Sequence, residues 1–199
     1  SKQHFLSQHS LVIKRRFMTQ AVAHILIPIL LMSFIRDRIL SKNAKAHFPL
    51  HYVLLAGLGG VLPDIDIFAS IVLKIFGSTD WWVHKTFTHS LFFPLIFLIL
   101  FVVFSKTHES INICSGKHKM RISLISLMLA IGTLAHIALD SLAGEPVRWF
   151  YPLSAQMFGT NLFSLSGLEF GLTAALLDGI LLVVWIVYLE IKHKISDFI

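Results

Sequence analysis

Residues 81–93 read WWVHKTFTHSLFF, setting two histidines, a lysine and three hydroxyls just before a long apolar run. A membrane helix needs none of these groups at its start, whereas a metal site does. His84 and His89 are five apart, which is awkward for two ligands on one helix. The spacing is natural if His84 sits in a loop and His89 in the first helical turn, with Thr88 as its N-cap. Further along, His136 and Asp140 are four apart and so share one helical face. Asp64 and Asp66 flank Ile65 directly after Pro63, where extended backbone can aim both carboxylates at neighbouring positions. His24 lies in the first apolar stretch. Polar and charged groups in such segments cost several kcal/mol unless partnered. A shared metal cluster would partner all seven at once.

Four histidines and three carboxylates suit zinc, with manganese or iron as alternatives. Seven ligands exceed one tetrahedral shell, so two or more ions are expected. Paired metals are a common arrangement for phosphoester hydrolysis, where they activate water and neutralise charge on the leaving oxygen. Each residue also has an ordinary reading. His24 can be a packed, hydrogen-bonded histidine, His136 and Asp140 an interhelical pair, and Asp64 a helix cap. Seven such residues gathered at one end of a helical bundle make those readings the weaker set. His4, His9, His47, His51, His108, His118 and His193 fall outside the pattern and read as interfacial or solvated. Asp178, within LLDGILL, has no evident partner; it reads as a structural hydrogen bond or a contact behind the ligands.

The elements that must carry these groups are membrane helices. Of 199 residues, 55% are hydrophobic and 14% charged, and the mean hydropathy is +0.75. Soluble domains carry about 25% charged residues. Apolar stretches at 18–35, 50–74, 89–104, 122–140 and 169–190 predict an all-α, multi-pass bundle of about five segments in a single domain over 18–199. The second is broken at LPDID, because proline and two carboxylates oppose a continuous lipid-facing helix. Residues 1–17 read as an amphipathic segment on the membrane surface, not as a signal peptide. A net charge of +6 is compatible with nucleic acid, but the basic residues flank apolar runs, which fits anionic headgroups better. The lone Cys114 excludes an internal disulfide and any cysteine-based zinc cluster. If the segments alternate, Lys and Arg favour the side holding 36–49, 105–121 and the C-terminus by ten to six. That side would be cytoplasmic, leaving the histidine cluster on the other, although Lys14, Arg15 and Arg16 argue the other way.

The combination of AH in the first stretch, LPDID, HKTFTHSL and LAHIALDSLAGEPVRWFYPLS resembles the YdjM-like family of membrane-bound, metal-dependent hydrolases, from Thr19 to Ser154. Carried over by position, the resemblance implies His24, Asp64, Asp66, His84, His89, His136 and Asp140 as metal ligands. It implies Asp64, His89 and Lys85 as the catalytic groups. Lys85 stands where the family usually has arginine, which turns a two-pronged phosphate clamp into a point charge. Tyr151 stands where tryptophan is common before Pro152. The family is distantly similar to the phospholipase C and P1 nuclease group, which suggests phosphoester chemistry by analogy.

The expectation is a hydrolase that cleaves a phosphoester or pyrophosphate bond in a lipid or lipid-linked substrate. Lys85 and Arg148 would hold phosphate oxygens, and Trp81, Trp82 and Trp149 would sit at headgroup level, with Trp149 beside the substrate. The rivals are a metal-ion transporter, which usually shows paired repeats, and a scaffold keeping a structural metal, which is usually four-coordinate. Neither substrate nor oligomeric state is legible.

Overall fold

The computed structural model describes residues 21–43, 48–77, 84–107, 109–113, 118–143, 146–160, 162 and 170–193. Expectations for residues 1–17, Trp81, Trp82, His108 and Cys114 lie outside the described residues. The chain is mostly helical, in the order α1 (Ala21–Lys42), α2 (Leu50–Gly59), α3 (Ile65–Ile75), α4 (Phe92–Thr107), α5 (Ile122–Ala143) and α6 (Phe170–His193). Short 3-10 turns occupy Leu62–Asp64 and Phe87–His89. Between α4 and α5, strands β1 (Ser110–Ile113) and β2 (His118–Arg121) form an antiparallel hairpin, Ser110 opposite Arg121 and Ile113 opposite His118. The purely helical expectation is corrected to that extent.

The five-segment expectation is not supported either. Among the described residues, Ile122–Ala143 and Leu172–Lys192 are long and apolar enough to cross a membrane. The bent pair Leu50–Gly59 and Leu62–Ile75 makes a third if it counts as one broken span. Helix α4 has only 16 residues, below the roughly 20 that a straight crossing requires. Helix α1 has 22, but Arg36, Asp37 and Arg38 interrupt its apolar character before the required length is reached.

The break in the second stretch falls where proline predicts it. Gly60 caps α2, Pro63 occupies the 3-10 turn, and the two halves meet at a bend of 40°. The backbone at the carboxylates is not extended, however. Asp64 has φ −72° and ψ −3°, and Asp66 stands in the first turn of α3. Proline fits the first turn of a helix, where its missing N–H forfeits no bond, so LPDID turns as it breaks.

The core lies between α1, α2 and α5, where Ile29, Met32, Tyr52, Val53, Ala56 and Met128 are buried with Met120 from β2. The Tyr52 hydroxyl accepts the Arg121 N–H at 2.9 Å, tying the hairpin's end to α2. Burial of this kind contributes roughly 1.5–3 kcal/mol per large side chain. Much of α6 faces outward, with Leu172, Leu176, Ile180, Val183 and Val187 exposed.

Asp178 has its partner. Its Oδ1 accepts the Ala23 N–H at 2.8 Å, in the first described turn of α1. An acid in α6 therefore caps α1 one residue before His24. Asp178→Ala is expected to lower stability by about 0.5–2 kcal/mol, as loss of a cap does, while Asp178→Asn retains most of it. Thermal melting of the two variants in the same detergent checks this; equal melting temperatures would mean the cap contributes nothing.

A buried histidine and aspartate cluster at a helix break

Four elements deliver the cluster. The start of α1 brings His24, the break between α2 and α3 brings Asp64 and Asp66, the turn before α4 brings His84 and His89, and the end of α5 brings His136 and Asp140. All seven predicted residues meet in one contiguous group. His24 Nε2 lies 3.1 Å from Asp140 Oδ1, and His136 Nε2 lies 3.2 Å from His89 Nε2. Asp64 Oδ1 stands 3.5 Å from His89 Nε2 and 3.6 Å from His136 Nε2. His84 Nδ1 is 2.8 Å from Asp66 Oδ1.

Burial separates their roles. His24, Asp66, His89, His136 and Asp140 are buried. The Asp64 side chain keeps 33% of its surface, so it is the carboxylate through which the cluster meets the exterior. Three sets of ligand atoms lie within 4.8 Å of one another: His24, His136 and Asp140; Asp64, His89 and His136; Asp66, His84 and His89. The middle set fits an ion well. Donors 2.0–2.2 Å from a tetrahedral zinc stand roughly 3.3–3.6 Å apart, and the three separations here are 3.2, 3.5 and 3.6 Å. An oxygen and two imidazole nitrogens suit zinc, and suit manganese or iron less selectively.

The histidine turn differs from its sequence reading. His89 lies in the 3-10 turn Phe87–His89, not in the first turn of α4, which starts at Phe92. Thr88 does not cap that helix; its hydroxyl donates to Asp66 Oδ2 at 2.6 Å. The reason is that Asp66 gathers the turn, meeting His84 Nδ1, the Lys85 N–H and the Thr88 hydroxyl. Lys85 is held in the left-handed region at φ 60°, which costs a non-glycine residue about 1–2 kcal/mol. Its N–H donates to Asp66 Oδ2 at 3.2 Å and its ammonium lies 3.4 Å from Asp140 Oδ2. These two anchors offset the strain.

Arg148 and Trp149 follow α5. Among the described residues the Arg148 side chain makes no hydrogen bond or ion pair. The Trp149 indole N–H is committed to Ser141 Oγ at 2.7 Å, and its carbonyl accepts the Leu91 N–H at 2.9 Å. Trp149 thus fastens the 148–151 turn to the end of α5 and to the start of α4. The sequence reading gave no role to Gly60, whose carbonyl accepts from His136 Nδ1 at 2.7 Å. The only sign of it is the glycine-rich run immediately before LPDID.

Broken, apolar helices enclosing a histidine and aspartate cluster able to hold a metal define a helical membrane protein with a polar centre at a helix break. The family described as YdjM inner membrane protein matches residues 18–196, and the chain belongs to that family. No curated protein and no solved structure matches the chain.

Proposed function

We propose that the protein is a membrane-embedded, metal-dependent hydrolase of a phosphoester or pyrophosphate bond in a lipid or lipid-linked substrate, its centre on the non-cytoplasmic side. The observation that carries the reading is the triangle of Asp64, His89 and His136 ligand atoms. It has the edge lengths of a metal shell and one partly exposed member, Asp64. Three protein ligands with an open position are the pattern of catalytic zinc, whereas structural zinc is closed by four. A divalent ion held there, zinc or alternatively manganese or iron, would supply an activated water and a counter-charge for phosphate oxygens.

The chain's own residues do the rest. Asp64 borders the entry for water and substrate. Lys85, its ammonium at the Asp140 carboxylate, can turn to a substrate phosphate as a point charge but cannot ligate a metal, because a protonated amine has no lone pair. Arg148 is the second cation placed at this end of α5, and Trp149 holds its turn in place. In the hydrolysis, water oxygen bonds to phosphorus, the ester oxygen leaves, and it takes up a proton.

The experiment is phosphate release from a long-chain lipid phosphate and a lipid-linked pyrophosphate by purified protein, with and without chelator. Release that chelation abolishes and zinc restores supports the reading; release that ignores chelation, or none with either substrate, overturns it. Lys85→Met is expected to keep its metal while losing turnover, and Lys85→Arg to retain or improve it through two-pronged contact. Wild-type turnover in Lys85→Met would show that the lysine does no more than pair with Asp140.

A further inference from the structure

The three overlapping ligand sets cannot all be filled, and hydrogen-bond valence decides among them. A backbone carbonyl only accepts, so His136 Nδ1, 2.7 Å from the Gly60 oxygen, carries the proton and Nε2 carries the single lone pair. The Thr88 hydroxyl spends its one proton on Asp66 Oδ2 at 2.6 Å. His89 Nδ1 stands 3.1 Å from that same hydroxyl oxygen and 3.2 Å from Asp66 Oδ2. Two acceptors face it, so Nδ1 donates and its lone pair is on Nε2. Both free lone pairs then point at one place, the 3.2 Å gap that Asp64 Oδ1 closes.

The outer sets are drawn on by other partners. Asp66 Oδ1 receives His84 Nδ1–H at 2.8 Å, closer than two ligands of one ion stand, and Oδ2 receives Lys85 N–H, Thr88 O–H and His89 Nδ1–H, so the carboxylate is taken up by the turn. Asp140 Oδ1 faces His24 Nε2 at 3.1 Å; its Oδ2, 3.6 Å from His89 Nε2 and 3.7 Å from His136 Nε2, faces the Lys85 ammonium at 3.4 Å, a positive charge that opposes a cation at that oxygen. A carboxylate behind a ligating histidine fixes its tautomer and raises its basicity. Asp66 stands behind His89 in that position.

We propose that the cluster binds one divalent ion, held by Asp64 Oδ1, His89 Nε2 and His136 Nε2, and that Asp66 is a positioning residue for His89 and not a ligand. This rests on the metal-centre reading above and differs from the expectation of two or more ions and of seven ligands. The chain spends four of its seven candidate groups on orientation.

The test is binding of Zn²⁺ alone to chelator-stripped, detergent-purified full chain, with Co²⁺ absorption as a probe of the shell. Wild type is expected to bind one ion per chain with a tetrahedral Co²⁺ spectrum. Asp66→Asn is expected to keep one site and that spectrum while Zn²⁺ binds 10–100-fold more weakly, the usual cost of an outer-shell loss. Asp64→Ala is expected to abolish the spectrum. Partial misfolding lowers the number of sites without weakening those that remain, so the dissociation constant separates positioning from bulk structural damage. Thr88→Val, which keeps every candidate ligand, is expected to weaken Zn²⁺ several-fold. Two or more sites in the wild type, or a Co²⁺ spectrum lost in Asp66→Asn, would overturn the inference and leave the hydrolase reading standing. No site at all would overturn both.

Discussion

His89→Ala is expected to abolish metal binding and, with it, all metal-dependent turnover. The imidazole is fully buried and stands between the two aspartates of the helix break, at 3.5 Å from Asp64 and 3.2 Å from Asp66, while facing His136 at 3.2 Å. Removing it deletes one of three ligand atoms and also the ring that separates two carboxylates, which would then repel across a cavity. The loss of affinity should exceed the roughly 100-fold upper range for outer-shell changes. His108→Ala, in the polar segment between α4 and β1, is the comparison and should leave metal and turnover nearly unchanged. Zinc titration and phosphate release on both variants decide the matter; equal losses would mean that position within the motif carries no information.

Gly132→Ala is expected to be among the most damaging small substitutions in the bundle. A Cβ there would collide with the Ala56 carbonyl oxygen and stand 2.7 Å from the Gly59 backbone. Neither obstacle is the end of a flexible side chain, so α2 and α5 must separate. Overpacking costs about 1–3 kcal/mol and more where backbone has to move. The separation also draws the Gly60 carbonyl away from His136, so zinc affinity should fall together with stability. Gly179→Ala in α6 is the matched control. Nothing lies within 4 Å of a Cβ at that position, and replacing a helical glycine removes about 0.5–1 kcal/mol of entropic cost. Melting temperature and zinc affinity should both drop for Gly132→Ala and neither for Gly179→Ala. A Gly132→Ala protein that melts like wild type would refute the close approach of α2 and α5.

Residue type and spacing alone mark which residues form the polar centre. Histidine and aspartate are costly in an apolar segment, so His24, Asp64, Asp66, His84, His89, His136 and Asp140 stand out against their surroundings whatever the fold. The break at Pro63 was legible for a similar reason: the ring removes a donor and excludes a continuous helix. Segment counts were less legible, because hydropathy reports apolar composition, whereas crossing also requires length and continuity. Helix α4 stops at 16 residues and α1 runs into Arg36–Arg38.

What each polar residue does depends on the folded chain. Asp64 and Asp66 are two positions apart and chemically identical, yet one turns to the partly exposed triangle and the other receives four donors from residues 84–89. That division depends on where a segment 18 residues later in the chain folds back, and on which proton each partner has left to give. Asp178 found its partner, Ala23, across 155 positions. Local spacing names the residues that can bind an ion; the direction of each lone pair is fixed by neighbours that only the folded chain supplies.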